Sequence, residues 1–105
     1  MNPWKLLVLY SPPASPDEFR RHYVEVHLPL VAGLPGLLAS HYSFDVRTAD
    51  ASSPYFCIWQ GDFESAEAIV AAMQSPQGQK VQADAAAMAT GGIVIMQYQA
   101  RLAAL

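Results

Sequence analysis

His27 is the residue of this sequence with the clearest potential for chemistry. It lies two positions before Pro29, and Phe19, Tyr23 and Leu30 recur with it at helical spacing, so that the four side chains share one face of a predicted helix. Histidine exchanges protons near neutral pH because the ordinary pKa of its side chain is about 6.5. The spacing therefore predicts an inward-pointing imidazole that can act as a general acid or base.

Two interpretations of His27 are open on this pattern alone. Buried polar groups are usually hydrogen-bonded, so His27 can be a structural residue paired with a strand or with a carbonyl freed near Pro29. Alternatively, it lines a functional cleft, where burial disfavours the charged form and keeps the imidazole neutral near physiological pH. In that case Tyr23 is a second catalytic candidate, because its hydroxyl can point into the same cleft.

Three further residues are candidate ligand contacts. Phe19 and Leu30 lie on the predicted helix, and Trp59 lies in a later strand. Each also has a structural explanation, because burying a large apolar side chain stabilises a fold by roughly 1.5–3 kcal/mol. An aromatic cluster on paired strands is more often part of a core or a dimer interface than a substrate wall.

The sequence predicts neither a metal site nor a bound cofactor. Its three histidines are scattered, with His22 expected on the exposed side of the helix and His41 on the polar side of a strand. The single cysteine, Cys57, excludes an internal disulfide and a cysteine-based metal cluster within one chain, and we assign it to packing. No glycine-rich phosphate loop follows a predicted strand.

The helix that carries the histidine has a defined start and an interruption. Ser15 can cap the first turn, and Glu18 follows it by three residues as in a capping box. Pro29 removes an amide and clashes with the carbonyl four residues earlier, a conflict of about 3 kcal/mol in a helix interior. We therefore expect a bend at residues 27–30 and a stop at Gly33.

The rest of the chain predicts a mixture of strands and helices. Strands are expected at residues 4–10, 37–46, 55–63 and 93–101, and further helices at 65–73 and 76–89. This order is typical of an α+β, ferredoxin-like βαββαβ fold, in which helices cover one face of a four-stranded antiparallel sheet. With 105 residues the chain has room for one core, so residues 1–105 are expected to form a single domain.

The composition predicts a partner for this sheet. Hydrophobic residues make up 52% of the chain and charged residues 14%, against roughly 25% charged residues in ordinary soluble domains. Alternate positions place apolar side chains on both faces of the strands, whereas an antiparallel sheet covered on one side normally has one polar face. A second copy is the simplest cover, so we expect a homodimer that packs through the open sheet face.

Charge and hydropathy argue against other classes of partner. The net charge of −3 and the six scattered Lys and Arg residues leave no basic patch for nucleic acid or an anionic membrane. No segment approaches the roughly 18 uninterrupted apolar residues of a membrane span, and the apolar run at residues 6–9 is too short for a signal peptide. We therefore expect a cytoplasmic protein.

Several motifs together resemble one family. The resemblance covers the first third of the chain and rests on Trp4–Tyr10, Pro12, Asp17, Phe19, Tyr23, His27-Leu28-Pro29-Leu30 and Leu34-Pro35-Gly36-Leu37. These residues resemble the EthD family, which is named for ethyl tert-butyl ether degradation and belongs to the dimeric α+β barrel proteins. The resemblance implies that two copies face each other to form a barrel, and that each has a cleft between its sheet and its helices.

The resemblance also implies a range of functions, with His27 as the family's histidine. The classes implied are an oxidoreductase of the cofactor-independent monooxygenase type, an isomerase or cyclase, and a partner of an oxygenase. We therefore expect an enzyme or oxygenase-associated protein that acts on a small apolar or aromatic molecule without a tightly bound cofactor. A non-catalytic ligand-binding or accessory module and a haem-binding protein are the alternatives.

Overall fold

The computed structural model describes residues 2–50 and 54–105. The elements in chain order are β1 (Trp4–Tyr10), α1 (Pro16–His22), a π-helical turn (Tyr23–His27), α2 (Leu28–Ala32), β2 (Ala39–Ser43), β3 (Cys57–Phe63), α3 (Ala66–Gln74), α4 (Pro76–Met88) and β4 (Ile93–Gln99). The strands form one antiparallel sheet in the order β2-β3-β1-β4. The predicted ferredoxin-like α+β fold is therefore confirmed.

Three strands are shorter than the sequence pattern predicted. β2 ends at Ser43 instead of residue 46, because the Ser43 hydroxyl accepts the Asp45 amide at 2.9 Å and turns the chain away from β3. β4 ends at Gln99, which pairs with Trp4, the first residue of β1, and one more backbone bond follows, from the Ala100 amide to the Pro3 carbonyl at 2.9 Å. β3 begins at Cys57, which pairs with the last residue of β1.

Serine residues precede three of the helices, but only two use their side chains as caps. The Ser65 and Ser75 hydroxyls each accept a backbone amide at 3.0 Å, at the starts of α3 and α4. The predicted side-chain cap at Ser15 is wrong. Its backbone carbonyl accepts the Phe19 amide at 3.0 Å, whereas its hydroxyl makes no capping bond.

The helix of the histidine contains a π turn between its two α-helical parts. The Leu28 amide donates to the Tyr23 carbonyl, five residues earlier, and the next residue, Pro29, has no amide hydrogen to donate. The irregularity therefore precedes the proline instead of spanning residues 27–30 as predicted. α2 then continues to Ala32 and ends at Gly33, which confirms the predicted stop.

The core lies between one face of the sheet and the helices, in two apolar clusters. The first contains Trp59 and Phe63 of β3 together with residues of α2, α3 and α4. The second contains Tyr10, Phe19 and Tyr23 with their neighbours at the other end of β1. The candidate site lies where these two clusters meet.

No helix of the described residues covers the opposite face of the sheet. Val94, Met96 and Tyr98 of β4 alternate onto it and are 39%, 44% and 43% exposed. Lys5 and Asp62 form an ion pair across this face at 2.7 Å. Within the two described ranges, the structure contains no helix with the length and hydropathy needed to cross a membrane.

Candidate functional site

A cavity of about 260 Å³ lies between the sheet and the helix layer. β1, β3 and β4 form one wall, and the π turn, α2, α3 and α4 form the other. The lining is mostly aliphatic, and its polar groups belong to Tyr10, His27, Trp59 and Gln82. Ile95 of β4 also lines the cavity and is 59% exposed, so the cavity is open on the β4 side.

The π turn places His27 on the cavity wall. It is 3% exposed and is the one buried polar or charged residue of the described chain. Its Nδ1 lies 2.8 Å from Oδ2 of Asp84, which comes from α4. Because an ionised carboxylate only accepts hydrogen bonds, Nδ1 carries the proton in the neutral ring, and Nε2 keeps a free lone pair.

Burial and the shared hydrogen bond set the charge states of this pair. Burial lowers the pKa of His27, and the contact with Asp84 offsets that effect only in part. Burial would raise the pKa of the Asp84 carboxyl, but hydrogen bonds from His22 and His27 outweigh it, so the pKa is lowered. At neutral pH, a neutral imidazole therefore faces an ionised carboxylate.

His22 is a second partner of the same carboxylate. Its Nε2 lies 2.8 Å from Oδ1 and 3.0 Å from Oδ2 of Asp84. The sequence predicted a simple exposed residue, whereas His22 is half-buried and its side chain, 37% exposed, contacts α4. Asp84 thus connects one buried and one solvent-facing histidine.

Aromatic rings also pack against His27. The Tyr23 ring stacks on the His27 ring with centroids 5.4 Å apart, and Tyr10 meets Tyr23 edge-on at 5.9 Å. The Tyr23 hydroxyl is sealed from solvent, and its polar neighbour is the Cys57 thiol. Burial raises the pKa of Tyr10 and of Tyr23, so both hydroxyls stay protonated.

The structure brings only two of the five candidate residues to the cavity surface. His27 and Trp59 line it, and Trp59 Nε1 donates to the Ser40 hydroxyl at 2.8 Å. Tyr23 lies behind His27 within the aromatic cluster, and Phe19 stacks on Tyr23 with centroids 5.7 Å apart. Leu30 packs against the first core cluster and does not line the cavity.

Sequence reasoning missed Asp84 and Tyr10. Asp84 is the single acidic residue of α4, in the alanine-rich segment QADAAAM. An isolated carboxylate on a helix otherwise free of acidic side chains was the available signal. Tyr10 is the last residue of β1, whose bounds were correctly predicted. Its place at the cavity, however, depends on which element packs over the end of that strand.

The site does not have the arrangement of a metal centre. Across residues 2–50 and 54–105, no group of three or more His, Cys, Asp or Glu side chains is placed to hold a metal ion. Cys57 is fully buried, and burial raises the pKa of its thiol to about 12. The chemistry available at the cavity is therefore that of His27, Asp84 and Tyr10.

Residues 11–92 match the EthD domain. An uncharacterised 11.0 kDa protein from the thcB–thcC intergenic region of Rhodococcus erythropolis is 31% identical over 94 residues, which cover 89% of this chain and 90% of that protein. The chain belongs to the EthD family. The earlier resemblance to EthD proteins is thereby confirmed.

Solved structures share the fold of this EthD protein. An EthD-family protein from Bacillus halodurans is 25% identical, with a TM-score of 0.85 over 91% of this chain and 96% of that chain. A dimeric ferredoxin-like protein of unknown function from Thermobifida fusca is 16% identical, with a TM-score of 0.73 over 93% and 91%. SnoaB, a cofactor-independent oxygenase from Streptomyces nogalater, is 14% identical, with a TM-score of 0.71 over 98% and 97%.

Proposed function

We propose that this EthD protein is an enzyme that removes a proton from a small apolar or aromatic molecule, with His27 as the base and without a tightly bound cofactor. One observation carries the proposal. A buried imidazole that is held by a carboxylate lies on the wall of an apolar cavity. SnoaB, which has the same fold, is described as a cofactor-independent oxygenase, and this supports chemistry of that class.

The geometry supports a defined sequence of proton movements. Asp84 accepts the Nδ1 hydrogen of His27 and thereby fixes the tautomer and the orientation of the ring. Nε2 takes the proton from a C–H or O–H group of the substrate, and Asp84 stabilises the imidazolium that forms. General base catalysis of this kind typically contributes 10²–10⁴-fold to a rate.

Tyr10 is our candidate for stabilising the negative charge that develops on the substrate. It lines the same cavity as His27, and both rings contact Tyr23. Burial raises the pKa of the Tyr10 hydroxyl, so the hydroxyl stays protonated and can donate a hydrogen bond. The substrate class that fits is an apolar molecule with a carbonyl or phenolic oxygen beside an acidic hydrogen.

The size of the cavity limits the ligand. Its volume of about 260 Å³ is below the roughly 300–1,000 Å³ of pockets that hold drug-sized ligands. One or two fused rings suit this volume better than haem does. Trp59 provides an aromatic wall, and the aliphatic lining offers no charged group for a strongly polar substrate.

The test is hydrogen–deuterium exchange of an aromatic ketone, 1-tetralone, followed by NMR in D₂O. We expect the protein to accelerate exchange at the carbon beside the carbonyl, and H27Q to lose 10²–10⁴-fold of that acceleration. Y10F should retain binding and lose part of the rate. H41Q is the matched control, because His41 is an exposed histidine of β2. Exchange at the same rate with H27Q as with the wild-type protein would contradict the proposal.

A binding measurement on the same protein distinguishes catalysis from simple binding. 2-Naphthol, a fluorescent aromatic with an acidic hydroxyl, is a probe for the cavity. Binding of 2-naphthol without any exchange of 1-tetralone would favour the non-catalytic ligand-binding module over the enzyme. If the protein neither binds 2-naphthol nor exchanges 1-tetralone, the cavity has no role for ligands of this class.

We also propose that two copies of this chain pack through their open sheet faces. The exposed apolar side chains of β4 support this arrangement, and the Thermobifida fusca protein of the same fold is described as dimeric. The cavities lie on the other side of each sheet, so both would stay accessible in such a dimer.

A further inference from the structure

We propose that His22 is a positioning residue for His27 and couples the charge of this buried base to the solvent through the shared Asp84 carboxylate. This inference rests on the proposed function, because it concerns the same base. It adds a residue outside the cavity and a path by which that residue acts.

The three side chains form a continuous hydrogen-bonded chain through the helix layer. His27 Nδ1 lies 2.8 Å from Asp84 Oδ2, and His22 Nε2 lies 2.8 Å from Asp84 Oδ1. The exposed fraction of the side chains rises outward, from 4% for His27 through 18% for Asp84 to 37% for His22. The chain therefore leads stepwise from a sealed ring to one in contact with water.

The two ends of this chain face different spaces. His27 lines the apolar cavity. His22 and Asp84 instead line an open groove of about 300 Å³ between residues 13–15, α1 and α4. Asp84 thus lies between the groove and His27, and the groove gives water access to the Asp84 carboxylate.

A shared carboxylate makes the charges of the two rings interdependent. A protonated His22 places a positive charge beside Asp84, and this charge lowers the pKa of His27. A neutral His22 leaves the carboxylate free to stabilise the His27 imidazolium.

The shared carboxylate supports the proposed proton abstraction. One proton leaves the substrate and binds to His27 Nε2, and the positive charge that forms is stabilised by Asp84, whose other oxygen stays hydrogen-bonded to His22 Nε2. Asp84 stays ionised throughout, and its negative charge remains hydrogen-bonded on both sides. No electrons are gained or lost by the protein. The reverse movements restore the starting state when product is protonated.

The other titratable groups around this chain are few. Glu18 and Arg21 of α1 also line the outer groove, and Arg21 lies 3.7 Å from Glu25 on the same side. Tyr10 and Tyr23 pack around the inner end, where burial raises the pKa of both, so they stay neutral while His27 titrates. Asp84 is therefore the anion through which His22 acts on His27.

The experiment is an NMR titration of the protein with ¹⁵N-labelled histidine, which follows each imidazole separately. We expect the titration midpoint of His27 to rise by about half a pH unit or more in H22Q, because glutamine still donates to Asp84 but carries no charge. D84N should move the midpoint in the opposite direction, because it removes the anion that favours the imidazolium. H41Q should leave it unchanged.

A second variant guards against a purely structural explanation. H22R keeps a permanent positive charge and several donors beside Asp84, so the His27 midpoint should stay at or below the wild-type value. A His27 curve in H22Q that superimposes on the wild-type curve, while D84N still shifts it, would overturn the proposal. The titration needs neither ligand nor turnover, so its outcome is independent of the 1-tetralone test of the proposed function.

Discussion

At the scale of single residues, burial and hydrogen bonding set two pKa values that together suit a base. Burial lowers the pKa of His27, and the two histidine contacts lower the pKa of Asp84. Near neutral pH the ring is uncharged and its Nε2 lone pair is available, while the carboxylate is ionised and ready to stabilise a positive charge. A solvent-exposed histidine would lack both the fixed tautomer and the dry surroundings.

The same pKa shifts predict how the stability of the protein depends on pH. The unfolded chain binds a proton at His27 as the pH falls through 6.5, whereas the folded ring binds one only at lower pH. The free energy of unfolding should therefore decrease as the pH drops below 6.5 and through the lowered pKa. Asp84 adds stability above its ordinary value of 3.8, and this contribution is lost as the pH falls through its own lowered pKa.

Urea unfolding at a series of pH values, from about 8 to about 3, measures this dependence. H27Q removes the titrating ring, so the loss of stability that begins below 6.5 should shrink in that variant. H41Q should keep the wild-type profile, because His41 is exposed. An H27Q profile that is parallel to the wild-type profile would show that His27 does not titrate differently in the folded state.

Cys57 is expected to be chemically inert while the protein is folded. Burial raises the pKa of its thiol from 9.0 to about 12, which lowers the thiolate fraction at pH 8 by about 1,000-fold. Alkylation by iodoacetamide, followed by mass spectrometry, should be slow in buffer and fast in guanidinium chloride. Equal rates in the two conditions would mean that the thiol is accessible and would reopen a catalytic role for it.

The sequence predicted the inward orientation of His27 because helical periodicity is a local property. It did not predict the partner, because Asp84 lies 57 residues further along the chain. Whether those two side chains meet depends on how α4 is rotated about its axis, which is decided by packing. His22 was predicted to be an exposed helix residue, but it is half-buried, and its hydrogen bonds to Asp84 arise from the same rotation of α4.

At the scale of elements, close backbone approaches decide how the helices and strands fit together. A Cβ atom added at Gly78 would overlap the carbonyl oxygen of Ala72, so glycine lets α4 start directly against the end of α3. At Gly61 an added Cβ would overlap the Trp59 ring, which crosses over the glycine on the same face of β3. The second contact matters for function, because Trp59 lines the cavity.

We expect G61A to displace the Trp59 ring and to destabilise the fold. The ring would have to move from its hydrogen bond with Ser40, which measures 2.8 Å. Overpacking of this kind typically costs about 1–3 kcal/mol of unfolding free energy. Urea unfolding measures the cost, and fluorescence in a W4F background reports the Trp59 environment, since the chain has two tryptophans.

The matched control for G61A is G33A. A Cβ at Gly33 would meet only the end of the flexible Gln77 side chain, at 3.0–3.4 Å. The smaller clash should cost less than the G61A change and should leave the Trp59 emission unchanged. If G61A is as stable as the wild-type protein and has the same emission, the Trp59 ring can move aside without a cost in stability.

Most element positions could be predicted from the sequence, because turn and cap residues act locally. β1 has the predicted bounds. α3 lies one residue later than predicted at both ends, and α4 starts at the predicted residue and ends one residue earlier than predicted. The π turn was not predicted. Pro29 indicated an irregularity, but the choice between a kink at the proline and a wider turn before it depends on the packing of Tyr23 and His27.

At the scale of the whole molecule, the two faces of the sheet differ in what covers them. One face packs against the helices and forms the floor of the cavity. The other carries Leu7 opposite Met96, with Val94 and Tyr98 of β4 on the same side. Exposed apolar surface of this kind in a soluble protein usually marks an interface. Alternation along the strands predicted this division before the helices were placed.

The proposed dimer can be tested by placing a charge at the centre of the open face. Met96 is 44% exposed and pairs with Leu7 in the middle of the sheet. In a dimer that packs sheet to sheet, M96E would bury a carboxylate in each copy without a partner, and burying an unpaired charge is strongly unfavourable. V70E is the matched control, because Val70 is a 48% exposed residue of α3 on the helical side. Analytical ultracentrifugation at micromolar concentrations should find dimers for the wild-type protein and V70E, and monomers for M96E. A monomeric wild-type protein, or a dimeric M96E with wild-type affinity, would contradict packing through this face.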